Sequence, residues 1–365
     1  MASPPPSAFR VALTRDFYDA DGACKFDDIG FSVLDEPAHI ERFTLDEHRA
    51  EITPDQYGDA NGIVVLTPTV TAASLGSAEN LLAIGRFGVG YDNVDLSACT
   101  AADVLLLITK GSVDRPVGEA TVGWMIALTH HMRIKDQLVR DGNWDARTNY
   151  MGTELRDRTF GAVGLGGIAR ETIRLLSSFR MKQPIAFDPM VSAEAARELG
   201  VELVELDDLM RRADFVSVHC PLNDQTRDLI GRPELELMKA SAFLINTARG
   251  GIVNEDALFD VLEQRRIAGA ALDCFVGEPV TSPHRFGTLD NVQLAPHCIC
   301  WTDEFFRDAG TTAFQSMVSL SFGRPPHGMI NPEVLERPGF AKKWERWRGG
   351  VAWSNEQRQG PKADW

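Results

Sequence analysis

Two groups of residues in this chain have types and spacings that could do chemistry. The first is a glycine loop, Thr159–Arg170, in which Gly164-Leu165-Gly166-Gly167-Ile168-Ala169 matches G-x-G-x-x-A. Gly164 permits a tight turn out of a strand. Gly166 lets the backbone approach a pyrophosphate, and Ala169 is small enough for a helix to pack on a sheet. Gly167 and Ile168 open that helix, where free N–H groups and the positive dipole end favour an anion. Asp188 lies nineteen residues beyond Ala169, at the end of an Ala-Phe-Asp strand. An acid there accepts hydrogen bonds from the adenosine ribose hydroxyls. Its charge would repel a 2′-phosphate, so the expected cofactor is NAD rather than NADP. The second group is Arg249, Glu278 and His297. Each follows an apolar run: Ala242–Asn246, Ala271–Phe275 and Val292–Ala295. Ligands of open parallel sheets bind outside the carboxyl ends of the strands, so these three are candidates to converge on one crevice.

Alternating strands and helices must position these groups. Arg10–Thr14, Gly62–Leu66, Leu81–Arg86 and Val104–Ile108 read as strands of a first parallel unit. A second set comprises Thr159–Val163, Pro184–Phe187, Val201–Val204, Phe215–His219, Ala242–Asn246, Gly269–Leu272 and Val292–Ala295. Near-continuous apolar runs are what strands buried on both faces require. Helices are expected at Ile168–Ser178, Ala193–Leu199, Leu206–Arg212, Glu255–Arg265 and Asp303–Phe322. One long helix is expected between Pro116 and Gly142. The last thirty residues, with four of the seven tryptophans and Gly-Gly and Gly-Pro breaks, read as an irregular tail.

Composition narrows the function. A length of 365 residues suits two domains of about 150 residues each. The 37 basic and 52 acidic residues leave a formal charge of −15. That field disfavours nucleic acid as a partner. No apolar run reaches the roughly 18 residues of a membrane span, so no membrane association is expected. Six scattered cysteines fit a reducing, cytoplasmic setting. Cys298-x-Cys300 beside His297 lacks a second ligand cluster, and no metal is expected.

Several motifs, in order, resemble the D-isomer-specific 2-hydroxyacid dehydrogenase family, which includes glycerate, phosphoglycerate, formate and phosphite dehydrogenases. They are Arg86–Asp95 (RFGVGYDNVD), the glycine loop, Val218–Gly231 (VHCPLNDQTRDLIG), Phe243–Gly251 (FLINTARGG), Ala271–Pro279 (ALDCFVGEP) and Ala295–His297. The resemblance implies an α/β fold of two Rossmann-like, doubly wound parallel-sheet domains with a cleft between them. Residues 1–115 plus 304–335 would form a flavodoxin-like substrate domain. Residues 116–303 would form the NAD-binding domain, with a helix at 116–141 that makes a homodimer, and 336–365 would form the tail.

The resemblance also implies roles. His297 would be the general acid/base and Glu278 the carboxylate that pairs with it. Arg249 would grip the carboxylate or carbonyl of a 2-hydroxy or 2-oxo acid. Asp273 would bond the nicotinamide carboxamide. Cys220, Pro221 and Thr226 would line the adenosine side, and Ala248 would touch the cofactor through its backbone. The N–H groups of Gly88, Val89 and Gly90 would meet the substrate carboxylate. Two positions depart from the family pattern. Gly167 stands where relatives carry Arg or Lys, and Trp301 stands where they carry small residues. Two other readings stay open: an NAD(H)-responsive interaction protein like the C-terminal-binding-protein corepressors, and a dehydrogenase of phosphite or another oxyanion.

Overall fold

The computed structural model describes residues 8–348. Within it the chain divides into two compact units, residues 8–113 with 302–348, and residues 114–301.

In the first unit, β1 (Phe9–Leu13), α1 (Ser32–Asp35), β2 (Ile40–Thr44), α2 (Pro54–Tyr57), β3 (Gly62–Val65), β4 (Ala83–Arg86), α3 (Leu96–Ala101) and β5 (Leu105–Ile108) follow in order. All pairings are parallel, and the sheet order is β2-β1-β3-β4-β5, the flavodoxin-like arrangement. Helix starts are locally encoded: Thr53 and Gln56 form a capping box for α2, and Asp95 accepts from Ala98 N to start α3. Strand β2 is absent from the sequence reading. It is an edge strand, half exposed and carrying Glu41 and Arg42, so it lacks an apolar run.

The second unit begins with α4 (Asp114–Thr129) and α5 (Met132–Arg140). It continues through β6 (Phe160–Val163), α6 (Gly167–Leu176), β7 (Ile185–Phe187), α7 (Ala193–Glu198), β8 (Glu202–Leu203), α8 (Leu206–Arg212) and β9 (Phe215–Val218). Then come α9 (Arg232–Leu237), β10 (Phe243–Asn246), α10 (Glu255–Glu263), β11 (Gly269–Leu272) and β12 (Val292–Leu294). The parallel sheet has the order β12-β11-β10-β9-β6-β7-β8, with the reversal of direction between β6 and β9. Successive residues bury opposite faces. Phe160, Phe215, Phe243 and Ile245 pack on one side with Trp124, Met125 and Ala169. Val163, Val216, Val218 and Leu244 pack on the other with Leu209, Leu235 and Leu258.

The single helix expected over 116–141 is two. The Thr129 carbonyl, which would accept from Arg133 in an unbroken helix, accepts instead from Thr153 N at 3.0 Å. The Thr129 hydroxyl folds back on the Met125 carbonyl at 2.8 Å, and His131 adopts φ 52°. A tertiary bond thus outcompetes the helical one.

The irregular tail is also corrected in part. Helix α11 (Asp303–Ser321) returns to the first unit and is followed by α12 (Pro338–Trp347). Phe340, Trp344 and Trp347 recur at helical spacing and are buried. Trp347 meets Phe9 edge-on at 5.0 Å and Trp344 at 5.2 Å. Lys343 Nζ donates to the carbonyls of Leu81 and Ala102 at 3.1 and 2.6 Å. Residues 349–365 of that expected tail lie outside the described residues. Trp344→Ala removes a fully buried side chain and is expected to destabilise the protein by about 3–5 kcal/mol. Urea unfolding followed by circular dichroism checks this, and an unchanged midpoint would place α12 outside the core.

Candidate active site

Because every strand of the second sheet runs the same way, the loops after β6, β7, β9, β10, β11 and β12 emerge at one edge. These loops carry Gly164, Asp188, Cys220, Arg249, Asp273 and His297 respectively.

The glycine loop is built by close approach. Gly164 has φ 96°, and a Cβ there would lie 2.8 Å from Cys220 N and 2.9 Å from the His219 carbonyl carbon. Only glycine fits. A Cβ at Gly166 would meet nothing within 4 Å, so the backbone at this position has open space beside it, as an approaching pyrophosphate requires. Asp188 accepts from Leu165 N at 2.7 Å and from Met190 N at 2.8 Å, which fixes its carboxylate beside the loop. Cys220 is pushed up to about 11, first by burial and further by the charge of Asp188, which places the two side by side. Thr226 Oγ1 donates to the Pro221 carbonyl at 2.6 Å and closes the 220–226 loop. These residues fit an adenine dinucleotide. Ile168 follows Gly167 in the first turn of α6.

Two features here were not legible from motif spacing. Arg170 Nε donates to the Leu165 carbonyl at 2.9 Å and so braces the glycine loop from within α6. The Asp114 carboxylate fills the space that a Cβ on Gly167 would need. An acid from the start of α4 thus stands where a side chain at 167 would be.

The other end of the edge holds the titratable cluster. Asn246 shapes the loop after β10. Its Oδ1 accepts from Ala248 N at 3.0 Å and its Nδ2 donates to the Arg249 carbonyl at 2.8 Å. Arg249 Nη1 in turn donates to the Ala248 carbonyl at 2.7 Å. Asn246 is a positioning residue that the sequence reading passed over. An Asn inside a strand pattern gave no signal beyond that strand's end.

Asp273 is 2% exposed. Its Oδ1 accepts from Cys298 N at 3.0 Å, and both oxygens lie 3.3 Å from Ile299 N. Its own carbonyl accepts from His297 N at 2.8 Å. Burial raises its carboxyl above the usual carboxylate value, against the pull of these N–H donors and His297. The side chain expected to read the nicotinamide thus also holds the turn that carries His297.

His297 Nδ1 lies 2.5 Å from Glu278 Oε2. The other Glu278 oxygen accepts from Phe275 N at 2.7 Å. Burial alone would raise the Glu278 carboxyl. The bond to His297, the charges of His297 and Arg249, and the Phe275 N–H together hold it below its ordinary value. Arg249, Glu278 and His297 therefore do come together.

In the first unit, Gly88 (φ 129°) follows β4. Its N–H is already given to Thr109 Oγ1 at 2.9 Å, and Thr109 N donates back to the Gly88 carbonyl at 3.0 Å. The Gly88 N–H, expected to meet the substrate carboxylate, holds the loop in this structure. Arg86, which the sequence reading did not single out, lays its guanidinium against Gly88, with Nε donating to Asn93 Oδ1 at 3.2 Å.

The profile of the D-isomer specific 2-hydroxyacid dehydrogenase, NAD binding domain, matches residues 122–298. A D-3-phosphoglycerate dehydrogenase of Methanocaldococcus jannaschii is 36% identical over 286 residues, 78% of this chain and 54% of that protein. The chain thus spans about half the length of such relatives. A glyoxylate reductase of Thermofilum pendens is 36% identical over 284 residues, 75% of this chain and 82% of that protein. Among solved structures, a 2-hydroxyacid dehydrogenase from Ketogulonicigenium vulgare has a TM-score of 0.73 at 27% identity, covering 89% of this chain and 98% of its own. With an NAD-binding domain matched and this depth of identity, the chain belongs to the D-isomer specific 2-hydroxyacid dehydrogenase family.

Proposed function

We propose that the protein is an NAD-dependent oxidoreductase acting at C2 of a small D-2-hydroxy acid and its 2-oxo acid. The observation that carries this is the 2.5 Å pair of His297 Nδ1 with Glu278, with the charge of Arg249 felt at the same carboxylate.

Bound NAD supplies the hydride chemistry, and the chain's residues do the rest. Glu278, fixed by Phe275 N–H, holds the proton on His297 Nδ1 and leaves Nε2 facing outward to exchange a proton with the substrate oxygen. In reduction, Nε2–H gives its proton to the oxygen at C2. In oxidation, bare Nε2 takes the hydroxyl proton back. Arg249 grips the carboxylate bidentately. The Val89 and Gly90 N–H groups remain proposed donors to that carboxylate, with Arg86 adding positive charge to their loop.

On the cofactor side, Gly164, Gly166, Gly167, Ile168, Asp188, Cys220, Pro221, Thr226 and Ala248 are proposed to hold the dinucleotide. Asp273 is proposed to bond the nicotinamide carboxamide while it anchors the turn that carries His297. The same reading expects a homodimer through residues 116–141. In that region α5 buries no residue and leaves Met132 and Val139 exposed.

The test is NADH oxidation at 340 nm with glyoxylate, hydroxypyruvate, and branched-chain and aromatic 2-oxo acids. Turnover with one acid class is expected. His297→Ala is expected to lower kcat by about a hundredfold or more while NADH binding, read by its fluorescence, is retained. Undiminished turnover in that variant would remove His297 from the reaction. Asp188→Asn keeps an acceptor for Leu165 N but removes the charge. It is expected to narrow the preference for NADH over NADPH by about tenfold, and an unchanged ratio would mean that Asp188 does not face the 2′ position.

A further inference from the structure

Cys274 is not part of the proton-transfer reading, yet the fold delivers it to the same place. It follows Asp273 at the end of β11 and is 2% exposed, with Sγ donating to the Ala248 carbonyl at 3.4 Å. One ligand atom each from Cys274, Glu278 and His297 lies within 4.8 Å of the others. The arrangement is a cup. The thiol is the floor, and the imidazole and carboxylate, with side chains 41% and 30% exposed, form a rim open to solvent.

Three facts favour a cation there. The donors are sulfur, nitrogen and oxygen, the set that zinc accepts. Bond lengths of about 2.0–2.3 Å need such donors within roughly 4 Å of one another, which side-chain rotations of under an ångström supply. The surroundings are on balance acidic: the charges of Asp273 and Glu278 are felt at Cys274, as is Cys300, against the one guanidinium of Arg249. Burial and these same acids push the Cys274 thiol well up. A thiol so disposed is a poor nucleophile and ionises only as a cation takes the sulfur. The sequence reading weighed Cys298-x-Cys300 beside His297 and expected no metal. The fold assembles Cys274 with His297 instead.

We propose that Cys274, Glu278 and His297 form a site for a thiophilic divalent cation, zinc above all, whose binding switches off proton transfer by His297. The inhibitory half rests on the acid/base reading of His297. Zinc takes Sγ as thiolate, and the thiol proton passes to solvent. It takes Nδ1 of His297 in place of the Nδ1–H···Glu278 bond, and Glu278 supplies a carboxylate oxygen. Water completes four coordination. With Nδ1 on the metal, the ring's one proton sits on Nε2 and its release would leave a metal-bound imidazolate, so His297 can neither give a proton in reduction nor take one in oxidation. Protons leave as the metal binds, so apparent affinity rises with pH.

The experiment titrates zinc into the full-length protein against a chromogenic zinc indicator, and in parallel measures turnover. One equivalent is expected to bind, more tightly as pH rises, and NADH oxidation is expected to fall in step and recover on adding EDTA. Cys274→Val and Cys274→Ala should each keep basal turnover and NADH binding, which also shows that they fold. Both should bind zinc on the order of a hundredfold more weakly. Equal zinc binding in wild type and variants, or none in either, overturns the site. Cys274-dependent binding that leaves turnover untouched overturns the inhibitory half and points to the acid/base reading of His297 as the failure.

Discussion

The structure of the titratable cluster depends on one buried carboxylate. Asp273 lies at the end of β11 with almost no exposure, and such a group persists only where N–H donors compensate it. Those donors are the backbone N–H groups of Cys298 and Ile299, on the loop after the neighbouring strand β12. In satisfying Asp273, the loop turns back and puts His297 in a left-handed conformation. That conformation directs the imidazole at Glu278, which is itself tethered to Phe275 N. Loss of the Asp273 charge would free the turn first and the imidazole second. A general acid/base gains from this, because an imidazole held in one orientation and one tautomer starts each cycle in place.

At the other end of the same sheet edge the constraint is steric. Gly164 exists because the strand exit at His219 and Cys220 passes so near that no side chain fits. That contact sits where the strand order reverses, between β6 and β9, the place where open parallel sheets bind ligands. Electrostatics then tune it. Asp188 lies beside the glycine loop, and the Asp114 carboxylate occupies the space that a side chain at residue 167 would need. On the proposed function, a pyrophosphate at this loop would be held by backbone donors and the helix dipole.

Much of this was legible in the sequence. The parallel strands showed as unbroken apolar runs, and the glycine loop, Arg249, Glu278 and His297 stood beside recognisable motifs. What escaped it had physical causes. Strand β2 is an edge strand with charged residues, so hydrophobicity could not reveal it. The break after Thr129 comes from a bond to Thr153, which helical periodicity cannot register. Helix α12 was hidden because glycine breaks were weighed above the spacing of Phe340, Trp344 and Trp347. Asn246, Arg170 and Asp114 act through contacts distant from any motif they belong to. Gly88 was read as a donor to substrate because nothing in its neighbours announced that Thr109 would take its N–H.

The central claim is that Glu278 holds His297 in the tautomer that leaves Nε2 free. The most direct measurement is the imidazole ¹H–¹⁵N spectrum of the protein at neutral pH, with the His297 signals assigned by their loss in His297→Asn. The account predicts a proton on Nδ1, strongly hydrogen bonded and far downfield, with its shift collapsing in Glu278→Gln. A proton resident on Nε2 with Nδ1 bare, or a His297 spectrum indifferent to Glu278→Gln, would contradict it.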